Sequence, residues 1–191
     1  ITRGLSLESN RHRQLAVSQR ATRYTAEEDA SVVLEPYYAS LYEKYESLLV
    51  NPALDDFGEI DNFNLDELNL LASHIASLET AFDAYERDVV WLMKMNPNKL
   101  EGFDLRKWAR GKARNLLPHA LETRITYTGN LRAWRWFIES RSDKHAEPEI
   151  RRLADLLLLT LREQAPIYFQ DFSISEVYDN IPVWTPTHRK V

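Results

Sequence analysis

Asn64-Leu65-Asp66-Glu67-Leu68, running on through Leu92-Met93-Lys94-Met95-Asn96 to Pro97, is the stretch on which the fold turns. Leu68, Leu71, Ile75, Leu78, Phe82, Tyr85, Val89 and Leu92 alternate spacings of three and four, which puts them on one face of a helix. Asn64 stands where an N-cap belongs, with Glu67 at the third helical position as in a capping box. Pro97 marks the stop. A helix of about eight turns results, and its seam serves a core, helix packing or a subunit contact.

The flanking segments extend this helical pattern. Residues 36–49 read as a second helix ended by Asn51-Pro52, and the acidic stretch 51–63, with Pro52 and Gly58, reads as a surface loop. Asp104 is placed to cap a helix through about Leu117, which Pro118 stops. Thr123 to Thr128 alternates and is β-branched, so it reads as a strand. Gly129-Asn130 breaks it, and a helix resumes over Leu131–Ser140. Pro148 suits the first turn of a further helix carrying Ile150, Leu153, Leu157 and Leu161. The last twenty residues are mixed and are expected to be peripheral. The sum is an α+β fold, mostly helical, with a small central sheet and one long helix, as a single domain over residues 1–191.

Composition narrows the chemistry. A chain of 191 residues with 44% apolar content can bury one sizeable core. It has neither a run of 18 apolar residues nor a signal-peptide pattern, so a soluble, cytoplasmic protein is expected. The absence of cysteine excludes disulfides, thiolate zinc sites and cysteine nucleophiles. The five histidines lie far apart, and no metal is expected; His74, one residue before the seam position Ile75, reads as structural. There is no Ser-His-Asp order, phosphate loop or dinucleotide glycine motif.

The net charge of −5 hides an asymmetry. Residues 1–24 carry five Arg against Glu8, whereas residues 25–90 carry sixteen acids against Lys44 and Arg87. Positive charge returns at Arg106, Lys107, Arg110, Lys112 and Arg114, and again at Arg132, Arg135, Arg141, Lys144 and His145. Separated basic clusters on an acidic background point to focused anion binding rather than a nucleic-acid face. Arg11 and Arg13 flank His12, and an extended backbone would send the two Arg to one face and His12 to the other. Guanidinium groups suit paired contacts to phosphate oxygens. A solvated basic edge, paired with the acids of 25–90, is the competing reading. In Gly129-Asn130-Leu131-Arg132-Ala133-Trp134-Arg135-Trp136, a strand ends and a helix N-terminus with free N–H groups begins, which favours an anion. At least one of Trp134 and Trp136 is expected in the core.

Arg11-His12-Arg13, seven residues, Ala21, then Arg23-Tyr24 resembles the signature of flavin-dependent thymidylate synthases, in which a Ser usually stands at the position of Ala21. The stretches Leu116-Leu117-Pro118, Glu122-Thr123, Thr128 to Trp134, Arg141, His145-Ala146 and Pro148 to Arg151 are similar to that family's C-terminal pattern. The resemblance covers roughly residues 1–30 and 110–172, and implies that the family's N-terminal strands are absent or truncated within residues 1–191. It further implies a homotetramer that methylates C5 of a uridine 5′-monophosphate. Methylenetetrahydrofolate would be the carbon donor and NADPH-reduced FAD the hydride source. Carried over by position, Arg11, His12, Arg13, Gln14 and Gln19 would contact FAD, with Asn130, Arg132 and His145 completing that site from another subunit. Arg23 and Arg114 would hold the nucleotide phosphate with the backbone at Ala21 and Thr22, and Arg141 would polarise the uracil carbonyl as the catalytic residue.

Two departures stand out. Ala21 removes a hydroxyl near the nucleotide, and Glu8 stands where the family commonly has Gln, in reach of a ribose hydroxyl. Both resemble the polyoxin-type UMP/dUMP 5-methylases of nucleoside-antibiotic biosynthesis, which implies acceptance of UMP as well as dUMP. A dUMP-specific housekeeping synthase and a non-catalytic flavin- or nucleotide-binding paralogue are the alternatives.

Overall fold

The computed structural model describes residues 1–21, 31–50 and 60–189. Its contacts divide the chain into two compact units. One comprises Ile1, Arg3–Gln19 and Thr123–Val191, and the other Thr2 and Arg20–Glu122.

The second unit is helical. It holds α2 (Pro36–Val50), α3 (Leu65–Met95) and α4 (Gly102–Ala113), the last running into a 3-10 turn at Arg114–Leu116. Helix α3 is the long helix of the seam, 31 residues in length, with Leu71 and Tyr85 buried. Toward its start, Leu68, Leu71 and Ile75 pack with Leu41, Tyr45 and Leu48 of α2. Toward its end, Phe82, Tyr85, Val89 and Leu92 pack with Ala113, Leu117 and Leu121. The seam therefore contributes to two separate apolar clusters. Each fully buried Leu or Phe is worth about 1.5–3 kcal/mol.

Asn64 does cap α3, its side chain accepting from Asp66 N at 2.9 Å. Glu67 does not reach back to Asn64, as a capping box requires. The buried Tyr45 hydroxyl does so instead, accepting from Asn64 N at 3.0 Å and donating to Glu67 Oε2 at 2.7 Å. Lys44 reaches the same carboxylate at 2.8 Å, holding Glu67 below the usual carboxylate range by hydrogen bonding. His74 stacks on Tyr38 at 4.0 Å between ring centroids. Helix α4 begins earlier than Asp104 suggested. Glu101 occupies its N-cap without a side-chain bond, and Asp104 lies in the first turn, where a negative charge complements the free N–H groups.

The first unit surrounds one core. Its elements are α1 (Arg3–Ser9), β1 (Ala16–Gln19), β2 (Ile125–Thr128), α5 (Leu131–Arg141), α6 (Pro148–Gln164), α7 (Pro166–Phe169), β3 (Phe172–Tyr178) and β4 (Ile181–Pro186). Strand β1 pairs antiparallel with β2, from Ala16 opposite Thr128 to Gln19 opposite Ile125. Pro148 sits in the first turn of α6. Ile150, Ala154 and Leu158 recur every fourth residue and are wholly buried against Phe137, Ile138 and Phe169. Among the described residues the strands form two separate antiparallel pairs, not one central sheet.

The C-terminal segment corrects the expectation of a peripheral tail. Strands β3 and β4 form a hairpin turned at Asp179-Asn180, both at positive φ, as a tight two-residue turn requires. Phe172 and Trp184 belong to the core. Trp184 N donates to Ser142 Oγ at 2.8 Å, and its indole donates to Asp155 at 2.7 Å. Arg151, only 1% exposed, ties α6 to this hairpin by donating to Tyr178 O and Ile181 O.

Candidate functional site

The first unit brings three of the expected residues into one cluster. Helix α1 ends at Ser9, and successive turns carry the chain round to β1, with Arg11 N donating to Glu8 O, His12 N to Ser9 O and Leu15 N to His12 O. This backbone is turned rather than extended. It still separates the side chains: His12 is 1% exposed, whereas Arg11 and Arg13 are exposed. The buried imidazole lies edge-on to Trp136 and tilted against Phe137, each at 4.6 Å between centroids.

Arg141 closes the last turn of α5. Its Nη1 donates to Glu8 Oε1 at 2.7 Å and its Nε to His12 Nε2 at 2.6 Å. Because Nε2 accepts, the neutral imidazole carries its proton on Nδ1. Burial, and then the neighbouring guanidinium, pushes His12 down to about 4, so it is neutral at ordinary pH. Nδ1 is buried and has no hydrogen-bond partner among the described residues. A buried donor without an acceptor costs about 1–3 kcal/mol. The Nη2 of Arg141 likewise has no acceptor among the described residues.

The other expected residues fall into three groups. Arg11, Arg13, Gln14, Arg132 and His145 are exposed. Gln19 and Asn130 have internal duties: Gln19 Nε2 donates to Ser6 Oγ at 2.9 Å and Thr123 Oγ1 at 3.3 Å, and Asn130 Oδ1 caps α5 by accepting from Ala133 N at 2.8 Å. Ala21 is exposed, while Thr22 and Arg23 lie outside the described residues. Arg114, in the second unit, is exposed on a cleft of about 440 Å³ lined also by Lys107, Trp108 and Lys112.

Gly129, between β2 and α5, is there for space. A methyl group on it would overlap the buried Leu15 side chain and lie 3.6 Å from Ala133 Cβ. Arg132 and Arg141 are nine positions apart on α5, about 13 Å along the axis and about half a turn round it. They face opposite ways at opposite ends of one helix.

Sequence reasoning missed several supports. Trp136 and Phe137 wall in His12, and Ser9 shares a hydrogen bond with Tyr127. The signal for the first two was present in the aromatic run after Arg132. Arg135, read with the basic clusters, is a buried clamp: its guanidinium holds Asp171 at 2.6 and 2.9 Å and also donates to Tyr168 O and His188 O. These bonds hold Asp171 down at about 2.

Comparison with known proteins agrees with the motifs. The family model described as thymidylate synthase complementing protein matches residues 1–167. The flavin-dependent thymidylate synthase of Mycobacteroides abscessus is 35% identical over 187 residues, covering 96% of this chain and 63% of its own length. That of Mycobacterium leprae is 37% identical over 189 residues, covering 97% and 64%. The chain thus spans a little under two thirds of the curated relatives it matches. A crystal structure of thymidylate synthase X from Helicobacter pylori, with FAD and dUMP, aligns at a TM-score of 0.52 and 22% identity, over 90% of this chain and 68% of that one; at that identity the likeness concerns the fold. On the family match and these relatives together, the chain belongs to the flavin-dependent thymidylate synthase family.

Proposed function

We propose that this chain supplies the flavin and nucleotide contacts for reductive C5-methylation of uridine 5′-monophosphates. The observation that carries the reading is the Glu8–Arg141–His12 cluster, made by the residues the family motifs single out. Among the described residues it has two kinds of unused donor, a buried neutral imidazole N–H and the outer end of a guanidinium. An acceptor-rich ligand would satisfy both.

FAD fits the residues present. The orphaned His12 Nδ1 and the exposed Arg11 and Arg13 together offer a neutral donor and two cations, matching a ring system joined to a pyrophosphate. When bound and reduced by NADPH, it supplies the hydride, with methylenetetrahydrofolate supplying the carbon. The protein's part is then positioning and electrostatics. Arg141 donates through Nη2 to a uracil carbonyl and favours negative charge on the ring. Arg114, with Arg23 and the backbone at Ala21 and Thr22, holds the phosphate. Glu8 borders the ribose. Gln14, Gln19, Asn130, Arg132 and His145 complete the flavin site; the opposed faces of Arg132 and Arg141 favour sharing between copies in a homotetramer.

The substrate is read as UMP or dUMP, because Ala21 and Glu8 replace Ser and Gln, as in the polyoxin-type branch. The dUMP-specific reading is favoured by the relatives' names and by the Helicobacter pylori complex. Tritium release from 5-tritiated UMP and dUMP separates them. Release from both supports the relaxed reading, and release from dUMP alone supports the housekeeping one. A colourless protein that takes up no FAD and releases no tritium would sink both in favour of a non-catalytic paralogue.

A further inference from the structure

We infer that Glu8 is a positioning residue that acts through Arg141, placing its guanidinium by the location of one acceptor oxygen rather than by negative charge. The inference rests on the methylation reading for its kinetic consequences, but its geometric content stands apart from it. An arginine has four freely rotating side-chain bonds, so a useful orientation must be imposed from outside. Here two bonds from different nitrogens impose it: Nη1–H to Glu8 Oε1 at 2.7 Å and Nε–H to His12 Nε2 at 2.6 Å. Both partners come from α1 and the turns that follow it, whereas Arg141 comes from the end of α5. The side chains of Glu8 and Arg141 are each about one fifth exposed, 22% and 20%, so solvent does not swamp the contact.

Each contact has a consequence at the far end. Fixing the plane leaves Nη2, with its two N–H groups, as the end available to a ligand. Donating Nε–H to His12 Nε2 excludes a proton there, so the imidazole proton must sit on Nδ1. Glu8 thereby governs which nitrogen of a residue it does not touch carries the hydrogen. Loss of the Glu8 oxygen frees the guanidinium to rotate, and His12 loses the donor that selects its tautomer. Nothing in this relay requires a formal charge at position 8. It requires an sp² oxygen at the glutamate's distance, which an amide also provides and the shorter aspartate does not.

The test combines nuclear magnetic resonance with kinetics on the whole chain. In protein labelled with 15N at histidine, with His12 assigned by its loss in His12→Gln, the wild type and Glu8→Gln are expected to show a proton on Nδ1 and none on Nε2. Glu8→Ala should show averaged nitrogen shifts, with Glu8→Asp between. In tritium release, Glu8→Ala is expected to lower kcat at least tenfold while the uridylate KM stays within threefold, and Glu8→Gln to recover kcat to within threefold of wild type. Unchanged His12 shifts in Glu8→Ala would overturn the inference. So would Glu8→Asp retaining more kcat than Glu8→Gln, since charge would then matter more than position, or a rise in KM without loss of kcat, the mark of a residue whose whole role is its place beside the ribose. A wild type that releases no tritium overturns the methylation reading alone, and the nitrogen shifts still decide for or against Glu8.

Discussion

Arg135 and Arg141 lie six residues apart on one helix, and each faces a carboxylate, yet they do opposite work. Arg135 has its terminal end filled: both oxygens of Asp171 and the carbonyls of Tyr168 and His188 take its terminal N–H groups, while its buried Nε has no partner among the described residues. Among the described residues Arg141 has one carboxylate oxygen and one imidazole nitrogen, which leaves an end of the guanidinium unengaged there. The charge and the helix are the same; the number of acceptors supplied by the chain differs. An arginine whose terminal N–H groups the fold fills holds the fold, and one whose terminal end the fold leaves open has donors to offer a ligand.

Exchanging the two roles is the most direct way to break this contrast. Arg135→Ala strands Asp171 and is expected to cost about 3 kcal/mol of stability, the low end for breaking a buried pair because Asp171 keeps some solvent contact. Urea denaturation measures it. Arg141→Ala should cost about 1–2 kcal/mol by the same measurement, for the Glu8 oxygen and His12 Nε2 it leaves without a donor, but reduce tritium release at least a hundredfold, about 2.7 kcal/mol of transition-state stabilisation. If Arg135→Ala proves the milder change in stability, the Arg135–Asp171 clamp is not holding the core.

Acid titration separates the two clusters by pH. His12 has its folded pKa lowered from 6.5 to about 4, chiefly by burial, so the unfolded chain takes up its proton first. Stability should therefore fall as pH drops from about 6.5 to about 4. Asp171 is held at about 2 by Arg135, against 3.8 in the unfolded chain. Its contribution is present above that unfolded value and is lost as pH falls to about 2. Melting temperatures recorded from pH 7 to pH 2 should thus decline in two stages, and Arg135→Ala should flatten only the lower one.

Smaller changes at the approach to α5 sharpen the comparison by leaving both arginines in place. Gly129→Ala forces Leu15 to move within a packed core and is expected to cost about 1–3 kcal/mol. Asn130→Ala removes the cap and should cost about 1 kcal/mol in thermal unfolding. Neither should alter the His12 nitrogen shifts, because α1 and the end of α5 are untouched.

Periodic features were the legible ones. The Leu68–Leu92 seam, Pro148, the Gly129-Asn130 break and the strand before it can be read directly, because a backbone preference repeats or a single residue punctuates it. Strand β1 and helix α1 are short, and only their long-range partners define them: Gln19 pairs with Ile125 across more than one hundred residues. The C-terminal hairpin is not legible because its buried residues keep no period: Phe172 is alone on its strand, and Val183 and Trp184 are buried neighbours. At the candidate site, the motif singles out Arg11 to Arg13 and Arg141 but not which of them the fold buries. Exposure of Arg11 and Arg13, burial of His12 and the filled terminal end of Arg135 all depend on what the fold brings opposite each side chain. Asp171 is thirty-six residues from Arg135, and no local pattern links them.

The first turn of α3 has a consequence for the order in which this chain can assemble. Its capping circuit runs through the hydroxyl of Tyr45, nineteen residues before the Asn64 amide that it accepts from. The remaining turns of a 31-residue helix can elongate on local sequence alone, within microseconds. The N-terminal turn cannot lock until the preceding helix has docked and delivered its phenol. The Asn64 amide proton should therefore become protected together with those of the preceding helix, later than the middle of the helix it caps.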